Sequence, residues 1–254
     1  MDTRAFGIDF AGCNGKFDWT TLGTHNPKPV FAGIRAGISW GYQDNWFPTN
    51  WPSAKLYGIL RMAYHVIYPD QAIKTQVDNF TKVVGSDKGE LPPVIDAELD
   101  RGCSIAAIRQ AIYDEARYLE DWYGRKPIIY SRTSWIKQFL DQPAWLGNYD
   151  WWLALYLDAA NTEHPGPVPL PAGITKYLIH QTSNTMSTTG WGMPESKAYD
   201  ADRWNGVDAD VYAYAGVQQP GTSTEQPASD DERIAEILTL ARETNALVKA
   251  NLKA

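Results

Sequence analysis

Cysteine is nearly absent from this 254-residue chain, which has Cys13 and Cys103 and no others. A disulfide framework and a thiolate metal cluster are therefore excluded, and whether those two thiols pair with each other stays open. Histidine is equally sparse. His25, His65, His164 and His180 are dispersed with no metal-ligand spacing, so no metal and no other cofactor is expected. No apolar run reaches the ~20 residues of a bilayer-crossing helix, which argues against membrane insertion. The opening residues Met1 to Gly7 lack the apolar core of a signal peptide, so synthesis in the cytoplasm is expected, with any export by another route. Positive charge is also short: 23 Lys and Arg stand against 30 Asp and Glu, a net charge of −7, where a general nucleic-acid binder would carry a basic stripe. No internal repeat marks a solenoid.

Aromatic residues are plentiful, with 11 Trp and 14 Tyr. Such rings can stack on the apolar C–H faces of sugars or fill a large core, and composition alone does not choose. Short apolar runs recur along the chain and read as strands: 6–10, 30–34, 61–66, 94–98, 127–130, 152–156, 178–181 and 206–208. Helical segments lie between them. Residues 71–84 form one, and 105–123 the clearest, with Ile108, Ile112, Ala116 and Leu119 at helical spacing and Gly124 and Pro127 punctuating its end. Strands alternating with helices imply parallel pairing. Eight of them in about 210 residues predict an α/β fold, a TIM-like (β/α) barrel with eight strands and a reduced helix set, since a full barrel typically takes ~250 residues.

After about Gly216 the character changes. Residues 217–228 read as a flexible linker, and 229–254 as an amphipathic helix opened by Ser229 with Glu232 three residues on. The domain plan is thus a catalytic barrel over 1–216, the linker, and a helix whose apolar side over 229–252 docks on the barrel, self-associates or anchors at a wall.

The most informative segment is Leu91 to Glu98. Its apolar run reads as a buried strand, and Asp96 and Glu98, two residues apart, leave it on one face. Two adjacent, partly desolvated carboxylates push at least one pKa upward, leaving a carboxylic acid that can protonate a glycosidic oxygen; an acidic strand end paired with Arg101 is the plain alternative. Nearly every strand ends in a chemically able residue: Asp9, Arg35, Tyr64, Asp96 with Glu98, Tyr130, Tyr156, Gln181 and Asp208. In a barrel those ends converge on one mouth. First and last strands are neighbours there, so Asp9 and Asp208 are expected to face each other. Arg35 is expected to orient a carboxylate such as Asp9. Trp40, Tyr42, Trp46 and Trp51 form an aromatic stretch that suits a glycan-stacking rim or plain loop packing.

In order along the chain, these pieces resemble the glycoside hydrolase family 25 lysozymes, the Chalaropsis type. The likeness runs from residue 6 to about 214. Gly7 to Asp9 followed by Gly15 to Trp19 is similar to the family's opening; Ile34 to Ala36 with Asp44, Phe47 and Asn50 to its second strand and loop; and Ala63 to His65 with Gln76 and Phe80 to its third strand and next helix. Ile95 to Glu98 resembles the catalytic strand, and residues 129–131, 152–156, 181–183 and 207–208 follow in order. Two positions depart: Cys13 and Asn14 stand where the family often has Trp-Gln, and His180 stands where it favours Trp.

The resemblance implies a peptidoglycan muramidase that hydrolyses the β-1,4 bond between N-acetylmuramic acid and N-acetylglucosamine. Glu98 would be general acid and then base, with Asp96 and Asp208 tuning it or supporting developing positive charge. A covalent intermediate on Asp96 or Asp9, given ~5–5.5 Å from Glu98, and attack by the substrate's own 2-acetamido oxygen are the two open routes. Tyr64, Tyr130, Tyr156, Arg35, Gln181, Asp44 and Trp46 would bind the glycan. A phage endolysin acting on the host wall after release is the expected setting; a virion-associated lysin, a non-catalytic glycan-binding barrel and a chitinase-like glycosidase are the alternatives.

Overall fold

The computed structural model describes residues 2–194 and 198–221. The expected linker and amphipathic helix at 222–254 lie outside the described residues, and the described chain up to Val217 belongs to one compact unit.

Nine strands form one sheet: β1 (Phe6–Phe10), β2 (Phe31–Ile38), β3 (Tyr42–Gln43), β4 (Leu60–Val66), β5 (Val94–Asp96), β6 (Ile128–Arg132), β7 (Asp150–Ala154), β8 (Ile179–Ser187) and β9 (Ala198–Trp204). Their order is β1-β9-β8-β7-β6-β5-β4-β2-β3, and β1 also pairs with β2, so eight strands close a barrel and β3 extends β2 as a short hairpin. Every pairing from β1 through β2, β4, β5, β6 and β7 to β8 is parallel. β9 runs antiparallel to both of its neighbours. This corrects the expected last strand at 206–208, and with it the expectation that all eight run parallel.

The crossovers shrink along the chain. α1 (Trp19–Thr24), α2 (Phe47–Leu56), α3 (Ile73–Val84) and α4 (Ile105–Tyr123) cover the first half, α5 (Thr133–Phe139) is short, and residues 155–178 between β7 and β8 contain no helix. α4 shows why its sequence stops and starts where it does. Ser104 accepts from Ala107 N at its start, and Gly124 takes the left-handed conformation (φ 90°) that a C-cap favours. Ile108, Ala111, Ile112, Ala116 and Leu119 are buried along one face, each large member stabilising by roughly 1.5–3 kcal/mol.

Two apolar layers result. One lies between the strands and the surrounding helices, and includes Ile8, Ile34, Ala63, Ile95, Ile129, Trp151 and Phe80. The other fills the barrel itself with Phe31, Leu60, Met62, Val94, Ile128, Trp152, Ile179 and Trp204. Strand alternation explains the division, because successive side chains point to opposite faces. Followed toward the mouth, the inward series changes character on each strand: Phe31 gives way to Arg35, Met62 to Tyr64, Val94 to Asp96, Ile128 to Tyr130 and Ile179 to Gln181. The barrel is therefore packed at its base and polar at its open end.

Close approach at two positions requires glycine. A Cβ on Gly7 would lie 2.3 Å from the Phe31 ring, and one on Gly33 would lie 2.7 Å from Trp152 Cη2 and 3.0 Å from Asp9 Cβ. The Trp152 indole uses that space to cross the barrel and donate from Nε1 to Asp202 Oδ1 at 2.9 Å. Both cysteines are free thiols, Cys13 exposed and Cys103 half-buried.

Candidate active site

The mouth holds a cavity of about 510 Å³ lined by residues from every barrel strand or its continuation. Asp96 ends β5, and the chain then stays extended because Ala97 is held by β6 on both sides. Ala97 N donates to Tyr130 O at 3.0 Å, and Ser131 Oγ donates to Ala97 O at 2.5 Å. The alternation thus continues past the strand, and Glu98 lines the same cavity as Asp96. Asp96 is buried and its Oδ1 has no donor among the described residues. Glu98 sits nearer solvent and pairs with Arg132 Nε at 3.2 Å.

Across the cavity, Asp9 is the last inward residue of β1, one short of the strand's end, and stands opposite Asp200 of β9 in the strand register. Gln181 Nε2 donates to Asp9 Oδ2 at 2.5 Å. The Gln181 Oε1 in turn accepts from Tyr130 Oη at 2.8 Å and from Tyr156 Oη. Two tyrosines and one amide therefore form a chain that ends on a carboxyl. Tyr64 completes this wall.

Arg35 lines the cavity but orients a different carboxylate from the one expected. Its Nε donates to Asp44 Oδ2 at 3.0 Å, not to Asp9. Asp44 is buried and also accepts from Gly12 N at 2.7 Å and Trp46 N at 3.0 Å, so it ties the loop after β1 to the hairpin after β2. Asp44 and Trp46 are thus neighbours of the cavity wall and do not line it; Trp40 is 60% exposed, and the Tyr42 ring lies 5.4 Å from the guanidinium carbon of Arg35.

Asp208 is the clear correction. It opens α6 (Asp208–Ala215), beyond the base end of β9, and is absent from the cavity lining. The run 206–208 is not a strand because Asp210 Oδ2 accepts from Val207 N at 2.8 Å and starts a helix there. The acids of the last strand are Asp200 and Asp202. Sequence reasoning missed them, although Asp200-Ala-Asp202 has the same two-residue spacing as Asp96-Ala-Glu98. Arg132, Trp152, Asn14 and Asn184 also line the cavity without having been expected there.

The electrostatics follow from crowding acids in a buried space. Burial first, and then Asp202, pushes the Asp9 carboxyl well above the usual range. Burial and then Glu98 do the same to Asp96. Asp200 is raised to about 9 by burial, Asp9 and Glu98. Asp202 is raised by burial and then by Asp200. Near neutral pH the cavity therefore presents protonated carboxyls that donate as well as accept hydrogen bonds. Burial likewise keeps Tyr64 and Tyr130 protonated. Such a site can hold a polyhydroxylated ligand, supply a proton to a leaving oxygen and stabilise positive charge. Among the described residues no group of three or more His, Cys, Asp and Glu side chains could hold a metal ion.

Comparison with known proteins gives a consistent result. The family model described as glycosyl hydrolases family 25 matches residues 8–191. The solved bacterial lysozyme from Streptomyces coelicolor superposes with a TM-score of 0.68 at 25% identity, covering 85% of this chain and 98% of that one. A family 25 glycosyl hydrolase from Bacillus anthracis gives a TM-score of 0.72 at 25% identity, over 85% and 95% of the two chains. The uncharacterized protein YegX of Escherichia coli K12 is 29% identical over 153 residues, 59% of this chain, and the match spans about half of that relative, 56% of its length.

Proposed function

The chain belongs to family 25 of the glycosyl hydrolases, and from that premise we propose that it is a peptidoglycan muramidase, cleaving the β-1,4 bond between N-acetylmuramic acid and N-acetylglucosamine with Glu98 as general acid. One observation carries the reading: Asp96 and Glu98 leave consecutive inward positions at the end of β5 and face Asp9 and Asp200 across a single cavity. Asp96 lies close enough to Glu98 for the two to repel, and burial followed by that repulsion raises Asp96. Glu98 is the member nearer solvent and the glycan, so it is the one that delivers a proton to the glycosidic oxygen and afterwards takes one from water.

The nucleophile in this reading is the substrate's own 2-acetamido oxygen. Burial and the neighbouring acids raise Asp9 and Asp200, and a carboxyl that keeps its proton is a poor nucleophile. A carboxyl oxygen that accepts from the acetamido N–H instead orients that amide and makes its oxygen the better nucleophile, as in substrate-assisted glycosidases. Asp200 stands on the last strand in the place expected of Asp208 and offers its carboxyl to the bound sugar. The Tyr130–Tyr156–Gln181 chain fixes Asp9, and Arg35 with the Trp40 and Tyr42 rim receives flanking sugars. We place the enzyme in the lysis of a host cell as a phage endolysin, and lysis of intact cells by added protein tests that setting.

The experiment is reducing-end release from purified peptidoglycan by wild type and Glu98→Gln, matched for folding by circular dichroism. Muramic-acid ends from wild type, with a loss of ~10²-fold or more in the variant, are expected. Equal activity of the two would remove Glu98 from the chemistry. Binding without products from either would make the barrel a glycan-binding module.

A further inference from the structure

Asp202 is a carboxyl that the proposed chemistry does not use. It is 0% exposed, and on β1 its register partner is Gly7, two residues before Asp9. On β8 its partner is Gln181. It therefore points into the barrel one layer beneath Asp9 and Asp200, where glycine at position 7 leaves the strand without a side chain.

Each of its oxygens has a different situation. Oδ1 accepts from Trp152 Nε1 at 2.9 Å. Oδ2 is buried and has no N–H or hydroxyl donor among the described residues. Yet Asp202 stands diagonal to Asp9 across the β1–β9 pairing, and its side chain lies within hydrogen-bonding reach of Asp9, as that of Asp200 does from the layer above. Two ionised carboxylates have no proton to place between them and would only repel, so a close contact of this kind needs one. Gln181 Nε2 already donates to Asp9 Oδ2, which leaves the other Asp9 oxygen to carry the proton.

Resting on the reading of this cavity as a glycosidase site, we infer that Asp202 is a positioning residue: it accepts a proton held by Asp9, so that the pair shares one proton and one charge and Asp9 keeps a fixed orientation beneath the substrate. The surroundings demand this economy. The groups that bear most on Asp202 are Asp200 and Asp9 inside the barrel and Glu163 outside it, all acidic. Asp9 is faced by Asp202 and Asp200 from β9, Asp96 from β5 and the amide of Gln181 from β8. No compensating cation figures among these influences, and a second negative charge at this depth would have no partner.

The test uses Asp202→Asn, whose amide oxygen can still accept from Trp152 and whose NH2 can donate to Asp9 without any proton from it. Asp9 then loses its anionic neighbour and ionises more readily. In carboxyl 13C NMR, the wild-type pair should retain one proton at about pH 7, and Asp9 in the variant should titrate at least about one pH unit lower. The alkaline limb of the pH–rate profile should move to lower pH by a similar amount. Independent, ordinary titrations of Asp9 and Asp202 in wild type would overturn the inference, and so would a folded variant whose pH–rate profile superimposes on wild type. The wild-type titration needs neither the variant nor a substrate. It decides the proton sharing if the variant does not fold, and it separates failure of this inference from failure of the muramidase reading.

Discussion

Replacing Glu115 by leucine should destabilise the barrel most at acid pH. Glu115 of α4 and His65 of β4 are both fully buried, and they join the longest helix to the sheet. His65 Nδ1 meets Glu115 Oε1 at 2.9 Å and its Nε2 meets the Ser39 carbonyl oxygen at 3.0 Å. A carbonyl can only accept, so with a carboxylate on the other side both ring nitrogens are satisfied when both carry protons. Burial alone would depress the His65 pKa, but Glu115 and Ser39 overcome it and the net direction is upward. A raised folded value means that the pair's contribution is complete below the unfolded pKa of about 6.5 and is lost as pH climbs through the folded value. Breaking a buried pair from one side costs about 3–5 kcal/mol. For a domain of 150–250 residues that corresponds to a Tm lower by roughly 6–20 °C. Urea denaturation of Glu115→Leu should show this loss at about pH 6 and a smaller one at about pH 8.5. The double variant with leucine at both 65 and 115 should recover much of it, because Asn79 Nδ2 still donates to Ser39 O at 3.1 Å and no charge stays buried. A loss that is equal at both pH values, or a double variant as unstable as the sum of the single ones, would refute the ion-pair argument.

Three further outcomes are expected. Gly33→Ala places a methyl group against Trp152 and Asp9; it should cost about 1–3 kcal/mol and lower kcat at least ~10-fold, measured by denaturation and turnover on peptidoglycan. Asp44→Ala leaves Arg35 Nε and the Gly12 and Trp46 amides without their acceptor; thermal melts should show a loss of roughly 1–3 kcal/mol, accompanied by a raised KM. Asp208→Asn should keep activity within about twofold, with only the ~0.3–1 kcal/mol of a helix N-terminal charge lost, and a large drop in turnover would put α6 back into the site.

Seven of the eight barrel strands were legible because they are apolar, β-branched and punctuated by turns, as at Val94 and Ile95 or Ile128 and Ile129. Helix α4 was legible to the residue, through its spacing and its glycine stop. β9 was not. Its inward residues are Asp200, Asp202 and Trp204, so two of three positions that usually advertise a core carry charge, and the short apolar run at 206–208 drew attention instead. An antiparallel partner leaves no crossover helix to announce it either. At the site, Asp9, Asp96, Glu98, Arg35, Gln181 and the three tyrosines were legible because a parallel strand delivers its final residues to the mouth. Asp200 enters near the start of a descending strand, with Asp202 one layer beneath it, where that rule points to the wrong end. Arg35 was assigned to Asp9 because sequence shows no hairpin, and it is the β2–β3 hairpin that brings Asp44 within its reach.

The reversed direction of β9 also sets where this enzyme's cleft is open to change. β8 climbs to the mouth and β9 starts there, so the segment joining them turns round on the substrate side. The described part of that segment is anchored: Asp18 N, at the start of α1, donates to Gly192 O at 2.6 Å, Met193 is buried and the Trp191 ring stacks on His25. These contacts fasten the start of α1 to the return between the two strands, so a change of length there would pull on both. The exposed tip at Thr189 and Gly190 carries none of these anchors, which makes it the place where the substrate side can vary while the strand ladder keeps its register.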